Sequence, residues 1–151
     1  MIDPMIAQQP PTKGSFVNSL FYDEPAGTFS NGYVFINAPE ISSDRRNPEV
    51  GYWHCDIEHR EKLTWSDKIY ELFGRADRGQ VEREWALSRY SSISKVTLAK
   101  VRGFALRRKC GFILDAEISA GGADDRWIRV LAVPILTRER VVGLHGLKRA
   151  L

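Results

Sequence analysis

Residues 51–74 read GYWHCDIEHREKLTWSDKIYELFG, and the order of patterns within them decides the class of fold. Trp53, Cys55 and Ile57 alternate with His54, Asp56 and Glu58, the period of two expected of a strand with one buried face. EHREK then makes a charged turn, and Leu63, Thr64 and Trp65 form a second short strand. Ser66 or Asp67 caps a helix whose apolar residues Ile69, Tyr70, Leu72 and Phe73 cover one side, and Gly74 stops it.

Upstream, residues 1–14 contain three prolines and show neither helical nor strand spacing, which reads as a disordered tail. Residues 15–50 form an N-terminal arm. In it SFVNSLFY and GYVFINA, joined by the turn-rich DEPAGTFSNG, are expected as two short extended segments in a hairpin or wrapped arm. SSDRRNPE follows as a polar loop whose Pro48 disfavours helix. Downstream, RADRGQVEREWALSRY reads as a loop and short helix with Trp85 and Leu87 inward. A longer helix spans 93–109, started by Ser91 or Ser92, with Ile93, Val96, Val101, Phe104 and Ala105 along one face and RRK at its negative end. FILDAEIS, RWIRVLAVPIL and VVGLHGLK close the chain as three strands separated by AGGADD and TRER. Two strands, several helices and three strands imply an α+β fold: a five-stranded antiparallel sheet with short helices on one face, plus the N-terminal extension.

The 151 residues, 43% of them hydrophobic, suffice for one domain with a core, here 51–151. Twenty-two basic against 19 acidic residues leave a net charge of +3, short of what a dedicated nucleic-acid binder carries. No apolar run approaches the roughly 18 residues of a membrane span, and the N-terminus lacks a secretory layout, so a cytoplasmic location is expected. Cys55 and Cys110 form no CxxC pair and read as buried thiols, with no metal site indicated.

The opening stretch resembles a bacterial PAS domain, in which a Gly-x-Trp strand is followed by a turn, a Trp-Ser pair and a Tyr-x-Leu-Phe-Gly helix. FILDAEISAGGADDRWI is similar to that family's penultimate hairpin, and RVVGLHG to its last strand. The resemblance covers about 51–151. Where many relatives open the long helix with His-Pro-Asp-Asp, this chain has Tyr90, Ser91, Ser92 and Ile93, and GGADD replaces the usual Asp-Gly turn. The family's Asp-Ile-Thr group falls at Ala150 and Leu151, where the sequence ends. That position raises two expectations, a piece of a longer receptor or a stand-alone domain that signals through a partner. Haem-binding relatives use a histidine on the long helix and photoactive flavin relatives a cysteine in an Asn-Cys-Arg-type motif. Residues 93–109 contain no histidine and the motif is absent, so the resemblance argues against haem and covalent flavin and leaves the cofactor unknown.

A twisted sheet with helices across one face leaves a concavity suited to a small ligand. By alternation Trp53, Cys55, Ile57, Phe112, Leu114, Ala116, Ile128, Val130 and Ala132 face it, with Tyr70, Phe73 and Phe104 on the helical side. The opposite face carries Trp127, Arg129, Leu131, Val133, Val141 and Leu147, too apolar to be left wet. Either a second copy of the chain or the 15–41 arm is expected to cover it; the resemblance favours a homodimer or a signalling partner there. The resemblance therefore implies a non-enzymatic sensory or interaction module of bacterial-type signalling.

Catalytic chemistry is not advertised. His54 points away from the concavity, His59 lies in a turn and His145 is on the outer face. Asp115 and Glu117 share a strand face and are expected to pair with Arg126 or Arg129. Two alternatives stand beside the sensory reading. One is nucleic-acid binding through Lys95, Lys100, Arg102, Arg107, Arg108 and Lys109, extended by Arg138, Arg140, Lys148 and Arg149, although the helix lacks base-reading residues. The other is a cone-shaped α+β isomerase, for which Tyr70 is the one plausible inward acid or base.

Overall fold

The computed structural model of the chain describes residues 17–37, 47–121 and 124–151. The expected tail over 1–14 and most of SSDRRNPE lie outside the described residues. Strands β1 (Tyr33–Ile36), β2 (Val50–Asp56), β3 (Lys62–Trp65), β4 (Gly111–Ser119), β5 (Asp125–Thr137) and β6 (Arg140–Ala150) form one antiparallel sheet in the order β1-β4-β5-β6-β2-β3. The helices are α1 (Val17–Tyr22), α2 (Asp67–Leu72), α3 (Arg83–Ser88) and α4 (Ser92–Arg108). The α+β class stands, with a sixth strand where five were expected. That strand is β1, from GYVFINA, which lies along β4 with Phe35 opposite Phe112. A four-residue run of Tyr, Val, Phe and Ile suits a sheet edge that would otherwise be open.

The first arm segment is a helix, not the extended segment expected. Val17 and Phe21 are four residues apart, so one helical turn puts both on the sheet, where both are buried. Alternation and helical spacing are hard to separate over six residues, and contact with the outer sheet face decides between them. The sheet thus has a core on each side. Under α2, α3 and α4 lies the larger one, which includes Trp53, Phe73, Phe104, Phe112 and Ile128. On the other side Val17, Phe21, Ile36, Ile113, Leu131, Val133 and Leu147 pack together.

The face assigned to α4 needs a correction. Ile93 and Val96 are 80% and 57% exposed, while Ser94, Val101, Phe104 and Ala105 are buried. A polar residue sets this rotation: Ser94 Oγ accepts the Glu117 N–H of β4 at 2.9 Å, holding that side of the first turn against the sheet. Ser91 is the cap, its Oγ accepting the Ser94 N–H at 3.2 Å. Ser66 occupies the cap position of α2, but its Oγ accepts the Tyr52 N–H of β2 at 2.8 Å and ties the helix start to the strand.

Gly74 ends α2 in a left-handed conformation, φ +66°. Its N–H donates to the Glu71 carbonyl at 3.1 Å and the Arg75 N–H to the Tyr70 carbonyl at 2.9 Å, the two bonds of a Schellman ending. A Cβ here would come 1.9 Å from the Ala120 carbonyl oxygen. Gly74→Ala therefore meets both left-handed strain and a backbone clash, and should lower the unfolding free energy by roughly 2–4 kcal/mol. An unchanged urea midpoint would show that the chain does not make this contact.

Candidate functional site

Between the sheet and the helices α3 and α4 lies a cavity of about 530 Å³ of empty space, its open mouth included. The sheet side is built by Trp53 and Cys55 of β2, Leu63 of β3, Phe112 of β4, Val130 of β5, and Leu144 and Lys148 of β6. Arg83, Ala86 and Leu87 of α3, Tyr90, and Leu98 and Arg102 of α4 form the other side. Tyr90 is held in place by its neighbours: the Ser91 N–H donates to the Glu117 carbonyl at 2.9 Å and the Ser119 N–H to the Arg89 carbonyl at 2.7 Å.

Lys148 is the unusual member. It is 7% exposed, and its ammonium lies 5.0 Å from the ring centre of Phe73, 5.3 Å from Trp53, 5.8 Å from Trp65 and 5.9 Å from Tyr90. Nζ donates to the Tyr90 hydroxyl at 3.3 Å and makes no ion pair among the described residues. Four ring faces replace part of the hydration lost by a buried ammonium. Burial still pulls the Lys148 pKa down to about 7. The same burial raises the Tyr90 phenol, which keeps its proton, and raises the Cys55 thiol. The indole N–H groups of Trp53 and Trp65 are buried without an acceptor among the described residues.

Two of the lining side chains are held by Glu61, in the turn between β2 and β3. Its carboxylate takes Arg102 of α4 at 2.8 Å and Arg83 of α3 at 3.5 Å, so one side chain ties both helices to the sheet. Glu61 sits at φ +55° beside Arg60 at φ +56°.

Of the residues expected around the concavity, Trp53, Cys55, Phe112 and Val130 line the cavity. Tyr70, Phe73, Phe104, Leu114, Ala116, Ile128 and Ala132 are packed into the core around it, and Ile57 lies partly buried at its edge. Tyr70 donates its hydroxyl to the Gly79 carbonyl at 2.9 Å and is not among the residues lining the cavity. Sequence reasoning missed Lys148, Tyr90, Arg83, Arg102 and Leu144. The sequence reading puts Lys148 on a basic surface, but it shares strand parity with Leu144 and Gly146, and that parity is the available signal. Its burial, with Arg149 bound to carbonyls of the arm, removes two members of the basic patch on which the nucleic-acid alternative rested.

The outer face is covered by the arm. Arg129 is 0% exposed there, and Leu131, Val133 and Leu147 are buried beside Val17 and Phe21. Val141 is half-buried and Trp127 is 48% exposed at the margin. The face offered as a dimer surface is thus mostly occupied within one chain. Arg129 pairs with Asp115 through Nε–Oδ1 at 2.6 Å and Nη2–Oδ2 at 2.9 Å, and donates to the carbonyls of Leu20, Glu24 and Pro25 at the end of α1. Arg149 adds a bond to the Phe21 carbonyl at 2.7 Å. His145 Nδ1 lies 3.0 Å from the Tyr52 hydroxyl on this side, and His59 pairs with Asp56 in the β2–β3 turn. Among the described residues no cluster of metal-ligating side chains occurs and no helix is long and apolar enough to cross a membrane.

No protein-family model and no curated protein matches the chain. Solved structures do. An RNA-binding light-oxygen-voltage receptor superimposes with a TM-score of 0.60 at 13% identity, over 68% of this chain and 29% of the receptor. The N-terminal domain of a diguanylate cyclase with a PAS/PAC sensor from Marinobacter aquaeolei gives 0.60 at 13%, over 67% of this chain and 94% of that one. A domain of the putative light and redox sensing histidine kinase from Haloarcula marismortui gives 0.59 at 12%, over 68% and 89%. This chain therefore spans less than a third of the light-oxygen-voltage receptor. Its fold is PAS-like.

Proposed function

We propose that the chain is a non-enzymatic sensory module of a signalling system, binding a small molecule between its sheet and helices and reporting the event through its N-terminal arm. The observation that carries this reading is the position of Lys148 on β6. Lys148 faces the cavity while its neighbours Leu147 and Arg149 hold the arm, and on β5 Val130 and Arg129 divide in the same way. A ligand that shifts either strand is one residue away from the arm's attachments. The balance between arm packings moves by no more than the ligand's differential affinity for them. Contact with a second copy or a signalling partner then uses the arm and the exposed margin at Trp127. A catalytic role finds little support in the cavity, whose one thiol, Cys55, is held protonated by burial.

Native mass spectrometry of protein purified from a bacterial host, before and after denaturation, tests the reading. Extra mass lost on denaturation is expected. A bare mass would move the function from the cavity to the arm and the exposed margin at Trp127.

A further inference from the structure

The geometry points to a ligand with a single negative charge: we infer that the cavity takes a small monocarboxylate, its carboxylate on Lys148 and Tyr90 and its apolar body along Leu63, Leu98, Phe112 and Leu144. This inference rests on the ligand-binding reading above. Lys148 is buried, faces the cavity and has no carboxylate partner among the described residues, so a cationic group stands ready there without a counter-charge. The Lys148 ammonium, with the Tyr90 hydroxyl beside it, therefore lacks an anionic acceptor among the described residues.

The charge of the ligand follows from the other two cations of the lining. Arg83 and Arg102 already share Glu61, so the uncompensated charge in the cavity is that of Lys148 alone. A dianionic phosphate would bring a second buried negative charge with no partner. The remaining sheet and helix positions offer Cys55, Leu63, Leu98, Phe112, Val130 and Leu144, which suit a hydrocarbon or aromatic body. Charged and titratable groups around Lys148 are Tyr90 and Cys55, both held neutral by burial, and the two arginines of the lining, paired with Glu61.

Because a carboxylate binds the protonated amine, affinity should fall as the free Lys148 loses its proton. The test titrates benzoate against benzamide, and hexanoate against hexanamide, by calorimetry and tryptophan fluorescence on the whole chain and on Lys148→Met. The acids should bind wild type at least about tenfold tighter than their amides near pH 6 and weaken roughly thirtyfold by about pH 8.5. Lys148→Met should lose the acids and keep the amides, with circular dichroism confirming that it is folded. Acids and amides binding alike, or acids binding Lys148→Met unchanged, would overturn the carboxylate inference while leaving the ligand-binding reading intact. If neither acids nor amides bind wild type, the carboxylate inference falls, and the ligand-binding reading stands or falls with the native mass.

Discussion

Asp115→Ala is expected to lower the unfolding free energy by about 3–5 kcal/mol, because it leaves the Arg129 guanidinium charged, fully buried and without its carboxylate. The pair alone does not explain the arrangement, since a buried ion pair is often no better than hydrophobic residues of the same volume. What the guanidinium adds is connectivity. Nη1 and Nη2 reach the carbonyl of Leu20 in the last turn of α1 and those of Glu24 and Pro25 just beyond it, and the ring of Phe29 lies 4.8 Å from the charge. Asp115 in turn sits on β4 directly opposite Arg129 and fixes the fork's orientation. Urea unfolding measures the loss, and limited proteolysis should show the arm cut faster in the variant. The double variant Asp115→Leu/Arg129→Met should recover most of the stability, because no charge is left stranded, yet keep the arm sensitive to protease. An Asp115→Ala protein with an unchanged urea midpoint would refute the clasp.

Lys148→Met is expected to act in the opposite direction and to stabilise the chain near neutral pH. Lys148 has a folded-state pKa of about 7 against an ordinary 10.5. Between these values the unfolded chain carries the proton and the folded one does not, so stability rises with pH across that window. At about 1.36 kcal/mol per unit, the penalty at and below pH 7 reaches up to about 5 kcal/mol. Methionine has a similar length, needs no proton and suits an aromatic surround. The difference in stability between variant and wild type should therefore be largest near pH 7 and shrink as pH approaches 10. A difference that stays constant from pH 7 to 10 would show that Lys148 does not titrate in this range. That an unpaired lysine persists at such a cost agrees with a ligand-binding role for it.

Much of the inner architecture was legible because its residues obey a single period. Trp53 and Cys55 on β2, Phe112, Leu114 and Ala116 on β4, and Ile128, Val130 and Ala132 on β5 all lie on the side that alternation assigns them. Gly74 was legible as a helix stop because few other residues tolerate its conformation. The arm was less so: VNSLFY spans six residues, too few for helical and strand spacing to part, and contact with Ile113, Leu131 and Leu147 makes it a helix. On α4 the apolar Ile93 and Val96 misled, since a hydrogen bond from β4 to Ser94 turned the first turn the other way.

The candidate site divides along the same line. By itself the sequence determined a curved antiparallel sheet with helices on one face, and which strand residues look inward, because those are local periodicities that any neighbour must respect. Only the tertiary structure decided that Lys148 is a buried cation among four rings, that Glu61 bridges Arg83 and Arg102, and that Arg129 holds the arm. A charged side chain at an inward position conflicts with its own hydration. Whether packing or water wins is settled by partners far away in the chain, here Phe73 and Tyr90 for Lys148 and Asp115 and Leu20 for Arg129.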